Sequence, residues 1–193
     1  VRRMSLVETL LKGTRSRWAR FGGTVYRTEP NLKLGKGGLR DAQVVGWIRR
    51  LMPGIDLETR HRRRLERAVG DLLRLRNALF LAGGDRIGAL ALPMQRKVAH
   101  LLGVQAGPSG PAETALLRHQ FTIARAITEM LELVFERVEE AGGPSFGDER
   151  RFLAPDVATQ DDPFGWLRAA CAQNRRIPSR VRERLARAFA AMP

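Results

Sequence analysis

Apolar positions along this 193-residue chain recur mostly at three- and four-residue spacings, a pattern that predicts helices and not strands. Leu6, Leu10, Leu11 and Trp18 form a partial stripe over Ser5 to Trp18, and Gly22-Gly23 ends it. From Thr24 to Gly37 a helix is hard to continue, because Pro30 biases Glu29 toward extended backbone and three glycines follow within eight residues. This stretch reads as an ordered loop with a short extended start. A second helix opens near Gly38 and carries Leu39, Val44, Val45, Ile48 and Leu51 up to Pro53-Gly54. Asp56 is the expected N-cap of a long third helix, apolar at Leu65, Ala68, Val69, Leu72, Leu73, Ala78, Leu79 and Phe80, which stops at about Ala82 before Gly83-Gly84. Pro93 starts a short fourth helix that ends at Gly103, and Gly107-Pro108-Ser109-Gly110 is a turn-rich connector. The clearest element runs from Ala112 to about Glu140, where Leu117, Phe121, Ala124, Ile127, Leu131, Val134, Phe135 and Val138 hold one apolar face. It is the expected spine of the core.

The expected fold class is therefore all-α, a helical bundle of about five main helices in a domain spanning residues 1–141. Residues 142–162 are rich in Gly, Pro, Asp and Ser and read as a linker, followed by a short helical tail over 163–193 with Ser179 as a cap. Composition agrees: aromatics make up only 6%, which favours aliphatic helix packing over a β-sandwich. The single Cys171 excludes an internal disulfide and a thiolate zinc cluster, and implies a reducing compartment. Glu8 and Lys12 interrupt the apolar stretch that a signal peptide would need, no run approaches a membrane span, and a cytoplasmic location is expected.

Charge changes the picture. The first hundred residues hold 22 Lys and Arg against 8 Asp and Glu, while the remainder holds 12 against 12, so the whole excess of +14 lies in the front half. Such asymmetry suits nucleic acid, nucleotide phosphates or an acidic protein surface, and does not choose among them. The run Arg60-His61-Arg62-Arg63-Arg64, with Arg67, Arg74 and Arg76, covers several sides of the third helix and reads first as a solvated surface. No aromatics interleave it, which weakens a single-strand stacking platform.

The richest chemistry lies between Gly23 and Asp41. Gly35-Lys36-Gly37-Gly38 lacks the glycine a P-loop requires five residues before its Gly-Lys pair, where Pro30 stands, and it follows no buried strand of the dinucleotide-binding type. Two readings stay open. In one, free N–H groups at a helix start, with Lys33, Lys36, Gly37, Gly38 and Arg40, bind an anion. In the other, the glycines only make the turn, Asn31 caps it, and Glu29 or Asp41 pairs with Arg40. His61, His100 and His119 fall on separate helices without carboxylate or Cys at ligand spacing, so no metal site is expected. Asp161-Asp162 reads as a helix cap, and the chain contains neither an Asp-x-Asp pair nor a His-Asp dipeptide. No catalytic constellation emerges.

Arg20-Phe21-Gly22-Gly23-Thr24-Val25-Tyr26, then Glu29-Pro30-Asn31-Leu32-Lys33, then Gly37-Gly38-Leu39-Arg40-Asp41-Ala42-Gln43, resembles a signature of the bacterial bifunctional uridylyltransferase/uridylyl-removing enzymes that modify the PII nitrogen-signalling protein. Trp47, Leu75 to Leu79, Gln95, Val98-Ala99, Leu102-Gly103 and Ala124-Arg125 extend the likeness over about residues 15–140. The resemblance implies an all-helical segment that follows a nucleotidyltransferase domain and precedes a His-Asp hydrolase domain. Such a segment would complete the cleft for nucleotide or PII, with Lys33, Lys36, Gly37, Gly38 and Arg40 toward phosphate and Glu29, Asn31 and Asp41 shaping the loop. It would bind no cofactor itself, Mg²⁺ belonging to the full-length enzyme. The expected partners are the flanking catalytic domains and PII, with neither membrane nor nucleic acid. By this likeness the chain is a fragment, inactive alone, and the transferred nucleotide rests on the resemblance. The alternative is a stand-alone basic helical module that binds nucleic acid or an acidic protein.

Overall fold

A computed structural model describes residues 2–84, 88–108 and 110–145, and its helices all belong to one compact unit, Val1–Pro144. Five helices follow in order: α1 (Arg2–Arg20), α2 (Leu39–Leu51), α3 (Thr59–Leu81), α4 (Leu92–Leu101) and α5 (Ala112–Glu140). The class is all-α. Extended pairing among the described residues is confined to two isolated bridges, Asn31 with Ala89 and Gly107 with Gly110. Of the linker expected over 142–162 all but its first four residues, and the whole tail expected over 163–193, with Cys171, Asp161-Asp162 and Ser179, lie outside the described residues.

The fifth helix is the axis of the bundle. Between Ala126 and Phe135 only Glu129 is not buried, so α5 is covered on nearly all sides, as a helix apolar around most of its circumference must be. Helices α2, α3 and α4 pack directly on it, and α1 is applied to α2. The main cluster joins Leu72, Leu75 and Leu79 of α3, Val98 and Ala99 of α4, Leu116, Ile123 and Ile127 of α5, and Leu32 and Leu90 from the connections. Each such aliphatic side chain contributes about 1.5–3 kcal/mol by leaving water.

Helix ends follow the glycines. At the end of α3, Gly83 takes φ +87°, and the Gly84 N–H donates to the Leu79 carbonyl at 2.8 Å. A left-handed residue there costs least as glycine. Equivalent bonds close α1 (Gly23 to Trp18), α4 (Val104 to Ala99) and α5 (Gly143 to Val138).

Several expectations need correction. Helix α1 begins at Arg2 and buries Val7, Leu11, Thr14 and Trp18, while Leu6 faces solvent. Leu11 and Trp18 of the expected stripe are thus buried, and Val7 and Thr14, in four-three-four spacing with them, complete the face that ends at Trp18, the anchor against α2. Asp56 does not cap α3: Ile55 and Leu57 are buried, which carries the chain across the core before Thr59, and Glu58 occupies the N-cap position. Leu73 and Phe80 sit on the solvent side of α3. The extended piece of the first loop is Pro30 to Leu32, which borders Gly88 to Leu90, and not its start at Thr24. No helix among the described residues is long and apolar enough to cross a membrane.

Truncating Leu131, which is fully buried on α5, to Ala should cost about 2–5 kcal/mol. Leu73→Ala on the exposed side of α3 should stay within about 0.5 kcal/mol. Urea unfolding at constant m-value separates them; equal losses would contradict the assignment of α5 as the core axis.

Candidate functional site

The loop joining α1 to α2 is tied down almost atom by atom. Asn31 Oδ1 accepts the N–H groups of Lys33 (3.1 Å) and Leu34 (2.7 Å), and the Asn31 carbonyl accepts that of Gly35 at 2.9 Å. This is an Asx-type turn, which short amide side chains make against their own backbone. The loop then pairs with the segment before α4: Leu32 N–H donates to the Gly88 carbonyl and Leu90 N–H to the Pro30 carbonyl. Glu29 Oε1 accepts the Leu92 N–H at 2.8 Å and so caps α4 from sixty-three residues away. Gln95 Nε2 completes the seam by donating to the carbonyls of Thr28 and Leu90.

Asp41 lies at the centre and is wholly buried. Its Oδ1 accepts Arg17 Nη2 at 2.6 Å, and its Oδ2 accepts the Gly37 N–H at 2.7 Å and Trp18 Nε1 at 3.0 Å. Burial pushes the Asp41 carboxyl above its ordinary range, against the downward pull of Arg17, the Gly37 N–H and Trp18. Arg17 Nη1 also donates to the Leu34 carbonyl at 3.3 Å. One carboxylate thereby joins α1, the glycine turn and α2.

Lys36 makes a second tie. Its Nζ lies 4.4 Å from the centroid of the Trp18 ring and 3.9 Å from Glu132 Oε1 on α5. Gly37 has φ +76°, and a Cβ there would collide with the Ala124 carbonyl of α5. Gly38 is also crowded: a Cβ would sit 2.9 Å from the carbonyl oxygens of Leu32 and Gly35. These glycines let the turn lie flat against the central helix.

The residues expected to bind an anion are thus distributed as follows. The backbone N–H groups of Gly37, Gly38, Leu39, Arg40 and Asp41 are all taken by oxygens of the loop or of Asp41 itself, so the free amides expected at the start of α2 are not there. Lys36 is engaged with Trp18 and Glu132, whereas the Arg40 guanidinium lies 5.6 Å from the centroid of Trp47, seven residues further along α2. Lys33 is half-buried beside Gly88. Arg40 pairs with neither Glu29 nor Asp41, contrary to the alternative expectation: Asp41 turns to Arg17, and Glu29 to α4. Sequence reasoning placed Trp18 only in an apolar stripe and Gln95 only among the residues of the family likeness, and did not single out Arg17 or Glu132. A Glu inside the densest apolar run of α5 was the one available signal.

His61 is buried on α3, His100 and His119 are exposed, and no three His, Cys, Asp or Glu side chains group as a metal ion needs among the described residues. The fold and site define a helical domain built around a shape-locked loop, in which the Asp41 carboxylate and the amides from Gly37 to Asp41 are satisfied internally. The chain belongs to the GlnD PII-uridylyltransferase family, whose profile matches residues 6–135. It is 32% identical over 151 residues to the bifunctional uridylyltransferase/uridylyl-removing enzyme of Burkholderia thailandensis, and 32% over 152 residues to that of Burkholderia lata. These alignments cover 73% and 74% of this chain, which spans only 18% of the length of each relative. No solved structure matches it.

Asp41→Ala should destabilise the unit by about 3–5 kcal/mol, because it strands the Arg17 charge and the Trp18 and Gly37 donors. Asp41→Ala/Arg17→Ala should lose less than the sum of the two single variants. A chemical-denaturation cycle measures this, and additive losses would remove Asp41 as the hub.

Proposed function

We propose that this chain is the helical segment of a bifunctional uridylyltransferase/uridylyl-removing enzyme, completing the cleft in which UMP passes from UTP to the PII signalling protein in nitrogen regulation. The observation that supports the reading most is the coincidence of the signature block with the locked loop. The residues most like the family, Glu29 to Asp41, are the ones whose side chains and amides tie α1, α2, α4 and α5 together. A loop held this firmly presents a fixed wall to a neighbouring domain.

The catalytic carboxylates would come from a preceding nucleotidyltransferase domain and the removal chemistry from a His-Asp domain of the same parent, acting in the cytoplasm. The loop residues do not fit the Mg²⁺ that such transfer uses, since both oxygens of Asp41 are already occupied by N–H donors. Within the loop, Gly37 and Gly38 shape the surface, while Lys36 and Asp41 hold it. Contact with the nucleotide phosphates falls to Lys33 and Arg40, whose side chains make no ion pair with a carboxylate among the described residues.

The test uses the full-length parent enzyme. Lys33→Ala/Arg40→Ala should lower kcat/KM for uridylyl transfer by about tenfold or more with an unchanged melting temperature. Transfer kinetics equal to those of the parent would remove the phosphate role and leave the loop purely structural.

A further inference from the structure

The arginines of α3 divide into two sets. Arg76 lies 4.8 Å from the Phe80 ring centroid, and Arg62 lies on another side of the helix. Arg60, Arg64, Arg67, Asp71 and Arg74 recur at intervals of four, three, four and three, so they share one edge, with Arg63 beside them. That edge extends about 21 Å at 1.5 Å per residue. It borders α5: Arg64 Nη2 lies 2.6 Å from Glu129 Oε2, and Glu129 Oε1 lies 3.7 Å from Arg125 Nη2. Arg118, Thr122, Arg125 and Glu129 occupy a matching edge of α5, where Arg118 and Arg125 are exposed. Two basic stripes therefore meet along the solvent side of the α3–α5 seam. No carboxylate pairs with Arg63, Arg67 or Arg118 among the described residues.

We propose that this seam docks an acidic segment of a protein partner. The positive charge of the seam selects the sign of the partner, and the carboxylates already seated there point to its class. Several guanidinium groups along the seam already hold carboxylates: Arg64 and Arg125 share Glu129, Arg60 pairs with Glu58, and Arg74 reaches Asp71 at 3.4 Å, while Arg67 Nε donates to the Arg63 carbonyl. Further carboxylates would extend that ladder onto Arg63, Arg67 and Arg118 with bidentate geometry. A single-stranded nucleic acid fits less well, because no aromatic within the stripe offers its bases a stacking surface. The inference goes beyond the uridylyltransferase reading, which uses none of these arginines.

The experiment uses the full 193-residue chain and a fluorescein-labelled deca-glutamate peptide, with a duplex oligonucleotide of matched charge as comparison, at about 50 mM salt. Arg63→Ser/Arg67→Ser should weaken peptide binding about tenfold or more, whereas Arg2→Ser/Arg3→Ser, an equal loss of charge on exposed α1, should change it less than about twofold. The peptide should bind more tightly than the duplex. Equal weakening by both variant pairs would reduce the effect to net charge, tighter duplex binding would replace the protein partner by nucleic acid, and no peptide binding would make the seam a solvated surface. Each of these overturns the proposal. Both pairs are exposed, so an unchanged melting temperature accompanies a valid comparison.

Discussion

A wholly buried carboxylate is the constraint on which the arrangement of this bundle depends. Removing Asp41 from water is costly, and the fold offsets the cost only by aiming the Arg17 guanidinium, the Trp18 indole N–H and the Gly37 amide at its two oxygens. Each donor comes from a different stretch of chain or a different kind of group, so satisfying the charge fixes where α1 and the glycine turn lie relative to α2. Apolar packing alone could tolerate small slips between helices. A buried ion with directional donors tolerates far less.

The Lys36 contact carries the same logic to the central helix. With its ammonium over Trp18 and near Glu132, the loop that follows α1 is bound to α5 as well as to α2. Gly37 makes the approach possible, since any side chain there would strike the Ala124 carbonyl. Glu29 and Gln95 then attach the other end of the loop to α4. A segment whose composition suggests an exposed loop is in fact cross-linked to α1, α2, α4 and α5.

This has a bearing on function. A glycine-rich, lysine-containing turn before a helix invites the idea of a phosphate nest, yet every amide from Gly37 to Asp41 is already bonded to an oxygen of the chain. Whatever the loop contributes to a uridylyltransferase must come from side chains on its outer surface and from the shape it presents. The basic seam between α3 and α5 is a separate surface with separate chemistry, in which Arg63, Arg67 and Arg118 pair with no carboxylate among the described residues.

Much of the architecture was legible in the amino-acid order. Glycine pairs after periodic segments marked the ends of α1 and α3, and the long apolar face from Ala112 to Glu140 identified the central helix, because these signals are local in backbone conformation and side-chain spacing. Asn31 as the cap of its own turn is equally local. That Val7 and Thr14, and not Leu6, join Leu11 and Trp18 on the buried face of α1, that α3 starts at Thr59, and that Asp41 pairs with Arg17 were settled only by tertiary structure. Those outcomes depend on groups twenty or more residues apart competing for the same burial and the same hydrogen bonds, and Glu29 reaching α4 across sixty-three residues is the extreme case. Periodicity reports the environment a residue prefers; only the assembled core decides which partner supplies it.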